Sequence, residues 1–215
     1  MGNRTSTISE SQVNSDIIRA VVINDYQEVR RWISLGGNVN QIYSSGFTLL
    51  MYAVYNGCEE TVHELVTSGA NIEQRNEEGM SIFMIATYSG HIEIVKYLLD
   101  AGANPSTVDH YHTTALMLAS YNGHVDIVKL LINLDVDTLF RDRENNTAYD
   151  MARTDEIKQI LQPIMNWQRR KSWLIFLNLR NNNHIYPSYQ SLNNKIMTSC
   201  VLNNSDLTRY LSDFL

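Results

Sequence analysis

The chain has 215 residues, 44% hydrophobic and 19% charged, with 10 Gly and 3 Pro, which excludes a disordered or collagen-like chain and leaves room for one or two packed domains. Its formal charge of −6 is uneven: residues 1–162 hold 11 Lys and Arg against 21 Asp and Glu, whereas 163–215 hold 6 against 2. That acidic body excludes the positive footprint nucleic-acid phosphate requires, and no apolar run approaches the about 20 residues of a membrane span.

Residues 1–13 read as a flexible N-terminal segment. Met1 to Ser6 fit the pattern M-G-x-x-x-[ST], which makes Gly2 a myristoyl acceptor in a eukaryotic host. A single acyl chain anchors weakly, so membrane association would need a second signal. No Lys- or Arg-led apolar stretch opens the chain, and Cys58 and Cys200 are too few for a disulfide framework. The expectation is a soluble intracellular protein, cytoplasmic, with nuclear and peripheral-membrane locations left open.

From residue 14 a fixed period governs the sequence. Gly57, Gly90 and Gly123 are 33 residues apart, as are Gly36, Gly69 and Gly102. Ala20, Ala53, Ala86, Ala119 and Ala152 form a column at the same spacing, as do Val29, Val62, Val95 and Val128, and Ile33, Val66, Leu99 and Ile132. Thr48, Ser81, Thr114 and Thr147 precede short apolar runs, as N-cap residues whose oxygens accept from first-turn amides. Gly57, Gly90 or Gly123 ends each first helix, with Asn24 in that place in the first unit and Asp135 replacing the glycine that ends the second helix of the fourth. A second helix follows, with Val95, Leu98 and Leu99, then Val128, Leu131 and Ile132, at i, i+3, i+4. The units predicted are 14–42, 43–75, 76–108, 109–141 and 142–162, the last lacking about three residues before its second helix.

These units resemble ankyrin repeats, on G-F-T-L-L-M-Y-A-V-Y-N-G-C-E-E-T-V at 46–62, its counterparts at 79–95 and 112–128, and the tails S-G-A-N-I and A-G-A-N-P. The resemblance implies an all-α solenoid of helix pairs joined by β-hairpin-like loops, covering 14–162, with 163–215 as a helical extension. The family pattern Thr-Pro-Leu-His is altered: its Pro is absent, and its His is replaced by Met51, Met84 and Met117. Losing that His implies weaker hairpin links, with methionine supplying adaptable packing. His91 and His124 fall where the family uses His for structural hydrogen bonds.

No motif carries chemistry: G-x-x-x-x-G-K, H-E-x-x-H, C-x-x-C and G-x-S-x-G are all absent, so no enzyme, cofactor or metal is expected. His110 and His112 form an H-x-H pair without further ligands, and Cys58 has no adjacent base and is expected to pack. What an array offers is a long concave surface for a protein partner. The resemblance places contacts on the hairpins, at Ser44, Ser45 and Phe47, at Glu77, Glu78 and Met80, at His110, Tyr111 and Thr113, and at Arg143, Glu144 and Asn146. At the ends of the first helices it places Tyr55, Tyr88 and Tyr121. The candidate binding set is Phe47, Tyr55, Glu77, Glu78, Met80, Tyr88, His110, Tyr111, Thr113 and Tyr121. A partner with apolar anchors and basic flanks would suit this set, bound by a monomeric adaptor or scaffold. The other reading of the tyrosines is that they merely cover neighbouring helices.

In the extension, Trp167 to Leu177 joins the cations Arg169, Arg170 and Lys171 to an apolar continuation, which fits a helix capping the last unit or one lying on a membrane. Residues 181–195 read as a loop. Residues 205–215 read as an N-capped amphipathic helix, faintly similar to the close of an F-box-type motif. The alternatives to a plain adaptor are therefore a myristoylated peripheral-membrane adaptor and a ubiquitin-ligase substrate receptor.

Overall fold

The computed structural model describes the backbone of residues 10–167 and the side chains of 15–167. Gly2, the apolar run Trp173–Leu177, the loop at 181–195 and the amphipathic segment 205–215 lie outside the described residues. The 33-residue period appears as helix pairs. First helices are α1 (Glu10–Val22), α3 (Leu49–Tyr55), α5 (Ile82–Ser89) and α7 (Ala115–Asn122). Second helices are α2 (Tyr26–Ser34), α4 (Glu59–Thr67), α6 (Ile92–Asp100) and α8 (Val125–Asn133). A further helix, α9 (155–167), closes the described chain. Among the described residues there is no strand; hairpin loops contribute only the bridges Arg75↔Ser81 and Val108↔Thr114.

The expected caps form. Thr48, Ser81 and Thr114 accept from the amides of Met51, Met84 and Met117 at 3.3, 3.2 and 3.2 Å. In the fourth unit the Thr114 amide donates to Met117 Sδ at 3.4 Å, so a thioether closes the cap reciprocally. All three methionines are buried. They thus fill the core beneath the hairpins, and at one position also hold a cap. Asn24 and Asp135 take the left-handed turns expected of them, at φ 60 and 56.

Packing follows the columns. First helices stack on first helices (α1 on α3, α3 on α5, α5 on α7) and second on second, while each unit's two helices pack together. The alanines of the column are buried from Ala20 to Ala152, because a larger side chain there would separate adjacent helices. In α5, Ile82 through Thr87 are all buried, enclosed by α3, α6 and α7. Each such large apolar side chain contributes about 1.5–3 kcal/mol on burial. Second helices bury one stripe, Ile94, Val95 and Leu98 in α6 and Ile127, Val128 and Leu131 in α8, leaving the opposite face to solvent.

The fifth unit differs from a full one. Its first helix is reduced to a turn at 148–151, in which Thr147 and Asp150 bond to each other side chain to backbone and side chain to side chain. The missing residues remove the second turn that a helix would need to propagate. Its second helix is intact, with Ile157, Leu161 and Met165 buried at i, i+4, i+8, and runs through Pro163 to 167. At the other end α1 starts at Glu10, ahead of residue 14, at which the first unit was expected to begin.

Candidate partner-binding face

The first helices α3, α5 and α7 contain no Asp, Glu, Lys or Arg. Their buried faces leave few positions free, and the last turns present Tyr55, Tyr88 and Tyr121, which are 50%, 39% and 58% exposed. Val22, in the same column of the first unit, is 41% exposed. The four side chains form a strip with one member per layer, spaced by the about 8–10 Å of helix packing.

The backbone beneath this strip is fixed from the next unit. The Tyr88 carbonyl accepts from His124 Nε2 at 2.9 Å, and the Tyr55 carbonyl meets His91 Nε2 at 3.3 Å. In the first joint Cys58 Sγ donates to the Val22 carbonyl at 3.6 Å. Each imidazole lies over the glycine after the preceding first helix: a Cβ on Gly57 or Gly90 would stand 2.5 or 2.4 Å from the Cε1 of His91 or His124. Glycine is required there by contact as well as by its positive φ. These histidines are therefore structural, as the sequence implied. Cys58 is a buried free thiol whose pKa burial pushes up, so it packs rather than reacts.

Hairpin tips lie beyond the opposite ends of the first helices, about 10–12 Å from the tyrosines for helices of seven or eight residues. Asn76, Asp109 and Asp142, again 33 apart, shape these tips: the side-chain oxygen of each accepts two backbone amides of its own loop. Successive loops are tied by backbone bonds from Glu77 to Ser45, His110 to Glu78 and Arg143 to Tyr111. In the second unit Tyr43 takes the Asn/Asp place. Its ring meets Tyr52 edge-on at 6.4 Å, and Phe47 lies against Tyr52 at 5.2 Å. The Tyr43 hydroxyl is buried without a hydrogen-bond partner, and burial, with Tyr52 adding to it, pushes its pKa up to about 12.

The structure sorts the expected contact residues. Tyr55, Tyr88, Tyr121, Glu77, Glu78, His110 and Tyr111 are exposed. Phe47, Met80 and Thr113 are half-buried: the first two pack against the core, and the Thr113 amide and carbonyl both bond to Asp109. The His110 ring covers Gly79, where a Cβ would come within 2.6 Å, and His112 holds a left-handed turn at φ 62. That explains the H-x-H pair by loop geometry. Among the described residues no group of three or more His, Cys, Asp and Glu is placed to hold a metal.

Sequence reasoning passed over the Asn76, Asp109 and Asp142 column, although its 33-residue spacing was visible. It also missed the side-chain joint between the first two units, where Arg30 pairs with Glu64 and Asn24 accepts from Thr61. Arg30 holds the Glu64 carboxyl below its ordinary range, chiefly through their hydrogen bond.

A family model for ankyrin repeats in 3 copies matches residues 17–109, and one for ankyrin repeats in many copies matches 88–132. Together they span more than half of the 215 residues. The chain belongs to the ankyrin repeat family. Among curated proteins none matches it. Ankyrin repeats are generally non-catalytic protein–protein interaction modules. In this ankyrin array the tyrosine strip and the hairpin tips Glu77, Glu78, His110 and Tyr111 are exposed to solvent.

Proposed function

We propose that the array is a docking module of an adaptor or scaffold, capturing a protein partner along the row of first helices. The observation that carries this reading is the strip of Tyr55, Tyr88 and Tyr121, each exposed in the same place of three successive layers. Tyrosine brings large contact area for little rotamer entropy and keeps a polar tip, which suits interfaces. The backbone at Tyr55 and Tyr88 is already held by the His91 and His124 joints, so these two positions lose little further freedom on binding.

The hairpin tips extend the same surface through Glu77, Glu78, His110 and Tyr111. The test is affinity capture from a native lysate with the wild-type chain and a Tyr55→Ala/Tyr88→Ala/Tyr121→Ala variant, both first shown by circular dichroism to be folded. Partners lost from the variant support the strip as the docking site. An unchanged captured set assigns the tyrosines a covering role and refutes the proposal.

A further inference from the structure

The charges beside the strip point to the chemistry of its occupant, on the footing that the first-helix face binds protein as proposed above. The strip itself is uncharged. Just past each cap, the second helices open on carboxylates: Glu59 and Glu60 in α4, Glu93 in α6 and Asp126 in α8. At the far ends of the first helices the tip of the third unit adds Glu77 and Glu78, both exposed. Residues 43–146 as a whole hold 5 Lys and Arg against 14 Asp and Glu.

Three of the cations nearby are engaged, while the exposed Arg153 lies against Gly123 just past Tyr121. Arg75 donates to the carbonyls of Gly79 and Val108 within the hairpins. Lys129 reaches Glu156 at 3.5 Å, and Lys96 pairs with Glu93 at 2.8 Å in a solvent-exposed contact that is worth little. The partial positive charge of a helix start, about +0.5, offsets only half of one carboxylate. The α4 margin carries two carboxylates; Glu60 accepts from Asn24 Nδ2, and both line a cleft with Tyr26, Arg30 and His63, where Arg30 is paired with Glu64.

We propose that the Tyr55–Tyr88–Tyr121 strip receives a lysine- and arginine-bearing segment of a partner protein, whose cations lie on the phenol rings and reach the carboxylates at the margins. A cation over an aromatic face is attracted by the ring quadrupole, and the planar arginine head also stacks. An acidic segment would meet repulsion on both margins. A neutral segment would leave those carboxylates unanswered. The same charges oppose a lipid headgroup or nucleic-acid phosphate.

A displayed library of random 16-residue peptides, selected on the immobilised full chain, tests this. Retained peptides are expected to be enriched in Lys and Arg. A synthetic copy of one should lose about tenfold in affinity between about 50 and about 300 mM NaCl, because rim charges are screened. A Glu59→Gln/Glu60→Gln/Glu93→Gln/Asp126→Asn variant should lose a similar factor, and the tyrosine triple variant should lose binding, with circular dichroism confirming both folds. A pool that stays unenriched, or turns neutral or acidic, overturns the inference, as does indifference to the four amides. Non-basic peptides that still require the tyrosines sink the charge argument alone. Binding that survives the tyrosine variant sinks the site itself, and with it the docking reading.

Discussion

Replacing Gly90 by alanine tests the joint between layers most directly. Gly90 has φ 83, and its added Cβ would stand 2.4 Å from His124 Cε1, so the imidazole must leave its place over the turn. The left-handed backbone costs an alanine about 1–2 kcal/mol. Displacing the ring also breaks the 2.9 Å bond from His124 to the Tyr88 carbonyl, a further loss of about 0.5–1.5 kcal/mol. The expected total is about 2–3 kcal/mol.

Gly69 isolates the second contribution. Its φ of 89 is similar, but a Cβ there meets nothing within 4 Å, so Gly69→Ala should cost only the backbone share. Urea unfolding followed by far-ultraviolet circular dichroism measures both. Gly90→Ala should exceed Gly69→Ala by about 1 kcal/mol, and the excess should vanish when each change is made in a His124→Ala background. Equal losses for the two glycines, or an excess that survives removal of His124, would refute the joint as drawn.

Asp135 sits at φ 56 where the other units have glycine, so Asp135→Gly should stabilise the chain by up to about 1 kcal/mol, read as a higher thermal midpoint. Glu64 gains its charged-form stabilisation from Arg30, and a carboxyl held below its ordinary value of 4.5 supports the fold above that pH and loses the contribution as pH falls through the lowered value. Glu64→Gln should therefore destabilise near neutral pH, with the gap to wild type closing in strong acid in a pH series of urea melts. The Tyr43 hydroxyl is buried and unpartnered, so Tyr43→Phe should be neutral or stabilising by up to about 1 kcal/mol. Because burial raises that phenol's pKa from 10.0 to about 12, the unfolded chain ionises first, and the wild-type fold loses stability as pH rises from 10 through 12. The phenylalanine variant should be less sensitive to alkali over that range in spectroscopic melts.

Most of the helical array could be read in the sequence because every unit must bury the same stripe against the same neighbours. A column such as Ala53, Ala86 and Ala119 is a packing requirement stated three times. The fifth unit was harder: spacing showed about three residues missing before its second helix, but not that only the turn 148–151, closed by the capping exchange of Thr147 and Asp150, would remain of the first. The resemblance put the tyrosines at the ends of the first helices, but whether they were exposed or covered neighbouring helices was left open by the sequence, and the structure leaves them exposed. The depth of Phe47, Met80 and Thr113 was not legible either, because alternation along a hairpin cannot say which neighbour closes over a side chain. That the His91 and His124 rings sit over Gly57 and Gly90 was equally invisible: spacing identified the residue types, but only the stacked layers put them together.

The joint bonds also have a direction. Cys58, His91 and His124 each reach a carbonyl 36 residues earlier in the chain. On a ribosome adding about 5–20 residues per second, a layer therefore waits about 2–7 s for the side chain that locks it. Until that side chain has left the exit tunnel, the layer's final turn stays unfastened, so the array is completed from its N-terminal end with one unit always open behind the growing tip.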